Sequence, residues 1–198
     1  MPRRPTSKAP QEVRIIGGQW KRTPLPVTAV PGLRPTPARV RETLFNWLGQ
    51  DMAGLRCLDA FAGSGALGLE AASRGAAEVV LVESDPQLVA TLQALRTRLK
   101  ADAVRVERGD GVAALRQRRG QGLDVVFLDP PFGDDGNPAL FDAALAAARQ
   151  AIGEAGLVYL EAPRAWAPDE LARLGFQVHR QGKAGMVAFH LLAPLPPA

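Results

Sequence analysis

The stretch Cys57-Leu58-Asp59-Ala60-Phe61-Ala62-Gly63-Ser64-Gly65-Ala66-Leu67-Gly68 decides how this chain folds. A short apolar run ends in an acid, passes through Gly-Ser-Gly and gives way to helix formers over residues 66–73, which reads as strand, tight turn and helix. Glycines at 63 and 65 tolerate positive φ and carry no Cβ, so a ligand can come close to the backbone there. The helix N-terminus beyond them offers unpaired N–H groups. Residues 63–68 also satisfy G-x-G-x-x-G, a pattern that suits a dinucleotide as well as any other adenosine-bearing ligand.

Outward from this turn the chain alternates strand and helix. Strands are expected over 56–61, 78–83, 104–108, 124–129, 157–161, 176–180 and 186–192, and helices over 66–73, 86–99, 111–118, 138–151 and 168–174. Continuous apolar runs such as Val79-Val80-Leu81-Val82 and Val125-Val126-Phe127-Leu128 suit a parallel sheet covered on both faces. Only a short segment separates the last two strands, too little for a crossover helix, so they form an antiparallel hairpin at the sheet edge. The expected fold is therefore α/β and Rossmann-like: a mostly parallel seven-stranded sheet with one reversed strand. In such sheets ligands bind beyond the carboxyl ends of the strands.

Those ends carry acids. Asp59 closes the first strand, and Glu83, 20 residues beyond Gly63, closes the second where it can accept hydrogen bonds from ribose hydroxyls. Asp110 follows the third, placed either to accept from an adenine amine or to cap the next helix. The fourth strand runs into Leu128-Asp129-Pro130-Pro131-Phe132. A hydride-transfer enzyme has no evident use for a carboxylate, two residues without N–H groups and an aromatic ring at this place. Methylation of an exocyclic amine does. Acceptors that bind the two N–H groups of such an amine turn its nitrogen towards an electrophilic methyl. Asp129 and the Pro130 carbonyl are the candidate acceptors, and Phe132 can stack on a base drawn out of its helix or loop. The bland alternative is a Pro-Pro turn closing a buried strand.

The N-terminal part differs in character. Residues 1–50 hold nine Lys/Arg against two Glu, a charge of +7 within a chain total of +4, so the remainder is mildly acidic. A basic arm before an acidic body points to a polyanionic partner, or else to a solvated tail. Residues 1–11, rich in Pro and basic side chains, have no hydrophobic period and are expected to be disordered without RNA. Residues 12–50 read as a small hairpin, a rigid Pro-rich loop and a helix with Val40, Leu44, Phe45 and Leu48 on its packed face and Arg39 and Arg41 outward. The main domain occupies 51–198. With one cysteine, Cys57, and two histidines, His179 and His190, neither a disulfide framework nor a metal site is expected. No apolar run has the length of a membrane span, which leaves a cytoplasmic protein, expected as a monomer.

Taken together, Arg14-Ile15-Ile16-Gly17-Gly18-Gln19-Trp20, Gly32-Leu33-Arg34-Pro35-Thr36, Arg39-Val40-Arg41-Glu42-Thr43-Leu44-Phe45-Asn46-Trp47-Leu48, residues 59–70 and residues 129–132 resemble the RsmD family of bacterial 16S rRNA (guanine-N2)-methyltransferases. The resemblance implies a class I methyltransferase fold, S-adenosyl-L-methionine as donor and one guanine in the head of the small ribosomal subunit as target. It implies Asp59, Phe61, Gly63, Ser64, Gly65, Glu83 and Asp110 at the cofactor, and Asp129, Pro130, Pro131 and Phe132 as the catalytic tetrapeptide. Candidates for contact with rRNA are Arg14, Trp20, Lys21 and Arg22 in the hairpin, Arg34 and Thr36 in the loop, and Arg39 and Arg41 on the helix. An amino-methyltransferase acting on another RNA or on DNA adenine would keep the same pocket, and a non-catalytic RNA-binding protein would keep the same fold.

Overall fold

Apolar strand segments that alternate their side chains between two faces need helices on both, and the structure supplies them. The computed structural model describes residues 13–28, 30, 33–133 and 136–196; the basic arm at 1–11 lies outside them. The elements are β1 (Val13–Arg14), β2 (Pro24–Leu25), α1 (Ala38–Leu48), β3 (Arg56–Asp59), α2 (Ala66–Ser73), β4 (Glu78–Glu83), α3 (Pro86–Leu99), β5 (Val104–Arg108), α4 (Gly111–Gln117), β6 (Leu123–Leu128), α5 (Pro138–Ala151), β7 (Ile152–Ala162), α6 (Pro168–Arg173), β8 (Phe176–Ala184) and β9 (Val187–Pro194).

Seven strands form one sheet in the order β5-β4-β3-β6-β7-β9-β8. Neighbours from β5 to β7 are parallel, while β9 runs antiparallel to both β7 and β8. The single reversed strand is thus β9, and it is internal: the hairpin folds back so that β8 becomes the edge. The order reverses between β3 and β6, and this switch point opens the crevice in which such sheets bind ligands.

Strand parity sorts the core. Cys57, Val79, Leu81, Val125, Phe127 and Tyr159 pack under α1, α2 and α3, whereas Leu58, Val80, Val82, Val126, Leu128 and Leu160 pack under α4, α5 and α6. Phe45 of α1 meets Phe127 with ring centroids 6.2 Å apart, and Trp47 stacks on Phe189 at 5.4 Å. Asp59, Asp129 and Glu161 have the parity of the first set, so they point to the side on which the N-terminal segment lies.

Several expected boundaries move for identifiable reasons. β7 begins at Ile152, directly at the end of α5, and its pairing with β6 shifts register between Leu123 and Val125; a bulge there absorbs the extra residues. The N-terminal hairpin shrinks to two residues a strand. Its backbone is engaged elsewhere: the N–H groups of Ile16 and Gly17 donate to Glu70, and that of Trp20 to Ser73 Oγ. Val13, Ile15 and Leu25 bury their side chains in the core beside α2 and α3. His190 is fully buried, its Nε2 accepting from the Trp166 N–H at 3.2 Å, while His179 is exposed.

Candidate active site

The glycine turn takes the conformation its composition requires. Gly65 sits at φ 79° as the N-cap of α2, a left-handed geometry costly for a residue with a Cβ. At Gly68 a Cβ would lie 2.2 Å from Leu81 Cδ2 and 3.2 Å from Asp59 Oδ2. Without it, the Gly68 N–H donates to Asp59 Oδ2 at 3.0 Å. The other oxygen, Asp59 Oδ1, is buried and has no partner among the described residues. Burial, only partly offset by the backbone donors of Gly68 and Phe61, pushes the Asp59 carboxyl up to about 7. A buried orphan acceptor on an acid poised near neutrality suits an ammonium donor.

Glu83 and Asp110 each hold local structure and keep acceptor capacity. Glu83 Oε2 accepts from the Gly63 N–H at 2.9 Å, and its Oε1 accepts from the N–H groups of Ser84 and Asp85 at 2.8 and 2.9 Å. One lone pair of Oε2 is left over. Asp110 realises the helix-capping alternative, its Oδ1 accepting from the Ala113 N–H at 2.7 Å, and its side chain is exposed. Phe61 is half-buried and Ser64 is buried.

Across the switch point, β6 ends at Leu128 and delivers Asp129, half-buried, with Pro130 buried and Pro131 exposed. Among the described residues no backbone N–H donates to the Pro130 carbonyl. Phe132 is half-buried and its ring centroid lies 6.4 Å from that of Phe141. Asp129 is held well above the usual carboxylate range, first by desolvation, then by the charges of Glu161 and Asp59.

Two residues of this site were not among the expected ones. Glu161 and Tyr159 stand on β7, beside β6 in the sheet, where Phe127 pairs with Tyr159 and Leu128 with Leu160. Tyr159 OH donates to Glu161 Oε2 at 3.1 Å, and Thr36 Oγ1 lies 3.0 Å from that same oxygen. Burial raises both groups, the carboxyl of Glu161 and, with the adjacent carboxylates, the phenol of Tyr159. The available signal was Tyr159-Leu160-Glu161, which puts a phenol and a carboxylate on one face at a strand's carboxyl end.

The expected RNA-facing residues divide. Arg14, Lys21, Arg22, Arg34 and Arg39 are exposed, and Trp20 is half-buried. Thr36 and Arg41 are not on the surface, and the expectation that α1 turns both arginines outward is corrected for Arg41. Position 41 falls inside the apolar stripe of Val40, Leu44 and Phe45. Arg41 is 2% exposed; it donates to the Thr36 and Arg14 carbonyls at 3.1 and 2.8 Å and pairs with Glu70 at 3.4 Å. Desolvation lowers its pKa, and the Glu70 charge opposes that. Thr36, 3% exposed, points at Glu161 and Asp129. Its carbonyl and Arg41 together fasten the loop to the pocket.

Residues 13–193 match the family described as "Conserved hypothetical protein 95". The chain is 48% identical over 130 residues to the Ribosomal RNA small subunit methyltransferase D of Escherichia coli (strain K12), a match covering 66% of this chain and 65% of that protein. It is 38% identical over 123 residues to the Putative rRNA methyltransferase YlbH of Bacillus subtilis, covering 61% of this chain and 67% of that one. The chain thus spans a little under two thirds of the length of the Escherichia coli relative. Among solved structures, the putative methyltransferase yhhF from Escherichia coli superposes with a TM-score of 0.78 at 36% identity, covering 93% of this chain and 98% of the other. A putative methylase from Haemophilus influenzae superposes at 0.73 and 32%, covering 93% and 99%. With its sheet order, its glycine turn and a match that runs the length of both sheets, the chain belongs to the family described as conserved hypothetical protein 95, the RsmD family, on a class I methyltransferase fold.

Proposed function

We propose that this chain transfers a methyl group from S-adenosyl-L-methionine to the exocyclic N2 of a guanine in the 16S rRNA of the small ribosomal subunit, in the cytoplasm. The observation that carries the reading is the meeting of Asp129, Pro130 and Phe132 with the glycine turn at the point where the sheet order reverses. The names borne by its relatives support it.

The residues present fit the donor. Asp59 offers its unpartnered Oδ1 to an ammonium, Glu83 keeps a lone pair for a ribose hydroxyl, and Asp110 has a second oxygen for an adenine amine. When bound, the donor supplies a sulfonium methyl whose carbon–sulfur bond breaks, with its electron pair left on sulfur, as the nitrogen–carbon bond forms.

The chain's own contribution is alignment. Asp129 and the Pro130 carbonyl accept from the two N–H groups of the amine, and Phe132 stacks on the base. The nitrogen lone pair, otherwise delocalised into the ring, is thereby turned towards the methyl. Alignment of this kind lowers a barrier by about 7–11 kcal/mol. The amine sheds one proton, and Asp129 takes it. Exposed Lys21, Arg22, Arg34 and Arg39 hold RNA phosphates while the base enters the pocket.

The test is to incubate the protein with labelled donor and either naked 16S rRNA or small subunits, then map the labelled nucleotide. Label at a single guanine N2 is expected. Label on adenine, or on neither RNA form, would overturn the reading.

A further inference from the structure

Thr36 stands between two carboxyl groups, and its hydroxyl has one proton to give. Its oxygen lies 3.0 Å from Glu161 Oε2 and 3.5 Å from Asp129 Oδ2. The shorter contact takes the hydroxyl proton, and Tyr159 OH donates to the same Glu161 oxygen at 3.1 Å. Glu161 is then a charged acceptor with two donors. At the other end, two oxygens face each other with no proton between them unless Asp129 carries one and donates it to Thr36.

We propose that Asp129 and Glu161 share a single proton through the Thr36 hydroxyl, and that Thr36 and Glu161 are positioning residues that make Asp129 a charged acceptor when the target amine arrives. This rests on the methyl-transfer reading for its purpose, though not for its geometry. In the free protein the proton lies on Asp129 and Glu161 is ionised. Amine N–H groups favour the charged form of Asp129. The proton then passes from Asp129 to the Thr36 oxygen as the Thr36 proton passes to Glu161, so that Thr36 now donates to Asp129. After transfer of the methyl, the proton shed by nitrogen goes to Asp129, leaving both acids neutral. One proton then leaves to water at the half-buried Asp129, and the proton on Glu161 returns through the Thr36 hydroxyl to Asp129, which restores the pair.

The surroundings suit a pair that holds one charge between two acids. The groups facing Asp129 are Asp59 from β3, Tyr159 and Glu161 from β7, and Thr36 from the segment before α1. Arg41, on α1, spends its Nε on the Thr36 carbonyl and its Nη1 on the Arg14 carbonyl and Glu70. It fixes where Thr36 stands and neutralises neither acid. Two carboxylates brought together in a desolvated site ionise in separate steps.

The experiment follows the carboxyl carbons of Asp and Glu by 13C NMR during a pH titration of the full chain without ligand, Asp129 and Glu161 being assigned by Asp129→Asn and Glu161→Gln. In the unsubstituted protein the two groups are expected to titrate in coupled steps, Asp129 at the higher pH. Glu161→Gln removes the like charge and should lower the Asp129 midpoint by about one pH unit or more. Thr36→Val removes the oxygen that accepts from the Asp129 acid and the hydroxyl that donates to the Glu161 anion, so it should lower the Asp129 midpoint and raise that of Glu161, and Thr36→Ser should restore both. The acid limb of the kcat profile should move with those midpoints. Independent titration of both groups near the ordinary carboxylate range, or an Asp129 midpoint indifferent to Glu161→Gln and Thr36→Val, overturns the shared proton. If the midpoints move as stated and the unsubstituted protein methylates no RNA, the pair stands and the methyl-transfer reading falls.

Discussion

Arg41 Nη1 lies 3.4 Å from Glu70 Oε2, with both side chains shut away from water between α1 and α2. The same carboxylate accepts from the Ile16 and Gly17 N–H groups, each at 2.8 Å, and from Arg74 Nε at 2.9 Å. Glu70 therefore fastens three things to the helix that follows the glycine turn: the N-terminal hairpin, α1 and the end of α2 itself.

Removing that carboxylate strands a buried guanidinium and two backbone donors. Glu70→Ala is expected to cost about 3–5 kcal/mol, a fall in Tm of roughly 6–20 °C for a domain of this size. Calorimetry measures the fall, and limited trypsin digestion should show earlier cleavage at Lys21 and Arg22. An unchanged Tm would mean that the latch contributes nothing.

Asp129, the acceptor proposed for the amine, is half-buried beyond the end of β6 and contributes little to the core. Asp129→Ala is expected to keep the thermal transition and donor binding while losing on the order of 10²-fold or more in kcat. Single-turnover transfer of labelled methyl measures it, and a turnover equal to that of the unsubstituted protein would remove Asp129 from the chemistry.

If Asp59 holds the donor's ammonium as proposed, its carboxyl, raised by burial to about 7, should make donor affinity depend on pH. A positively charged ammonium binds the ionised form, so affinity should rise with pH between 5 and 7, by up to about tenfold per unit, and level off above. In the free protein the sign is opposite. The stability that Asp59 supplies is full below its ordinary value of 3.8 and is lost as pH rises through about 7. Titration calorimetry of the donor across this range tests the first statement, and Asp59→Asn should flatten the profile.

Salt separates the surface arginines from the buried one. Each phosphate contact removed lowers the slope of log K against log salt by about 0.7–0.9. Arg34→Ala combined with Arg39→Ala is therefore expected to lower it by roughly 1.5. Arg41→Ala should leave the slope as it was and lower the Tm, because its guanidinium faces Glu70 and carbonyls. Equal slopes for all variants would exclude Arg34 and Arg39 from the RNA interface.

What this sequence determined by itself was local or periodic. The strand, glycine turn and helix of residues 56–73 follow from neighbours in the chain, as do the Asp110 cap of α4 and the apolar runs of β4 and β6. Asp129 at a strand's end was legible for the same reason. Only the tertiary structure decided which polar groups were to be buried together. Arg41 lies in the apolar stripe of its own helix, and what makes it tolerable there is a carboxylate 29 residues away on α2. Thr36 reaches Glu161 across 125 residues because β7 is laid beside β6 and the N-terminal segment crosses the same face. A buried charge or hydroxyl is stable only beside its partner, and partners so distant in the chain are chosen by the order of the strands.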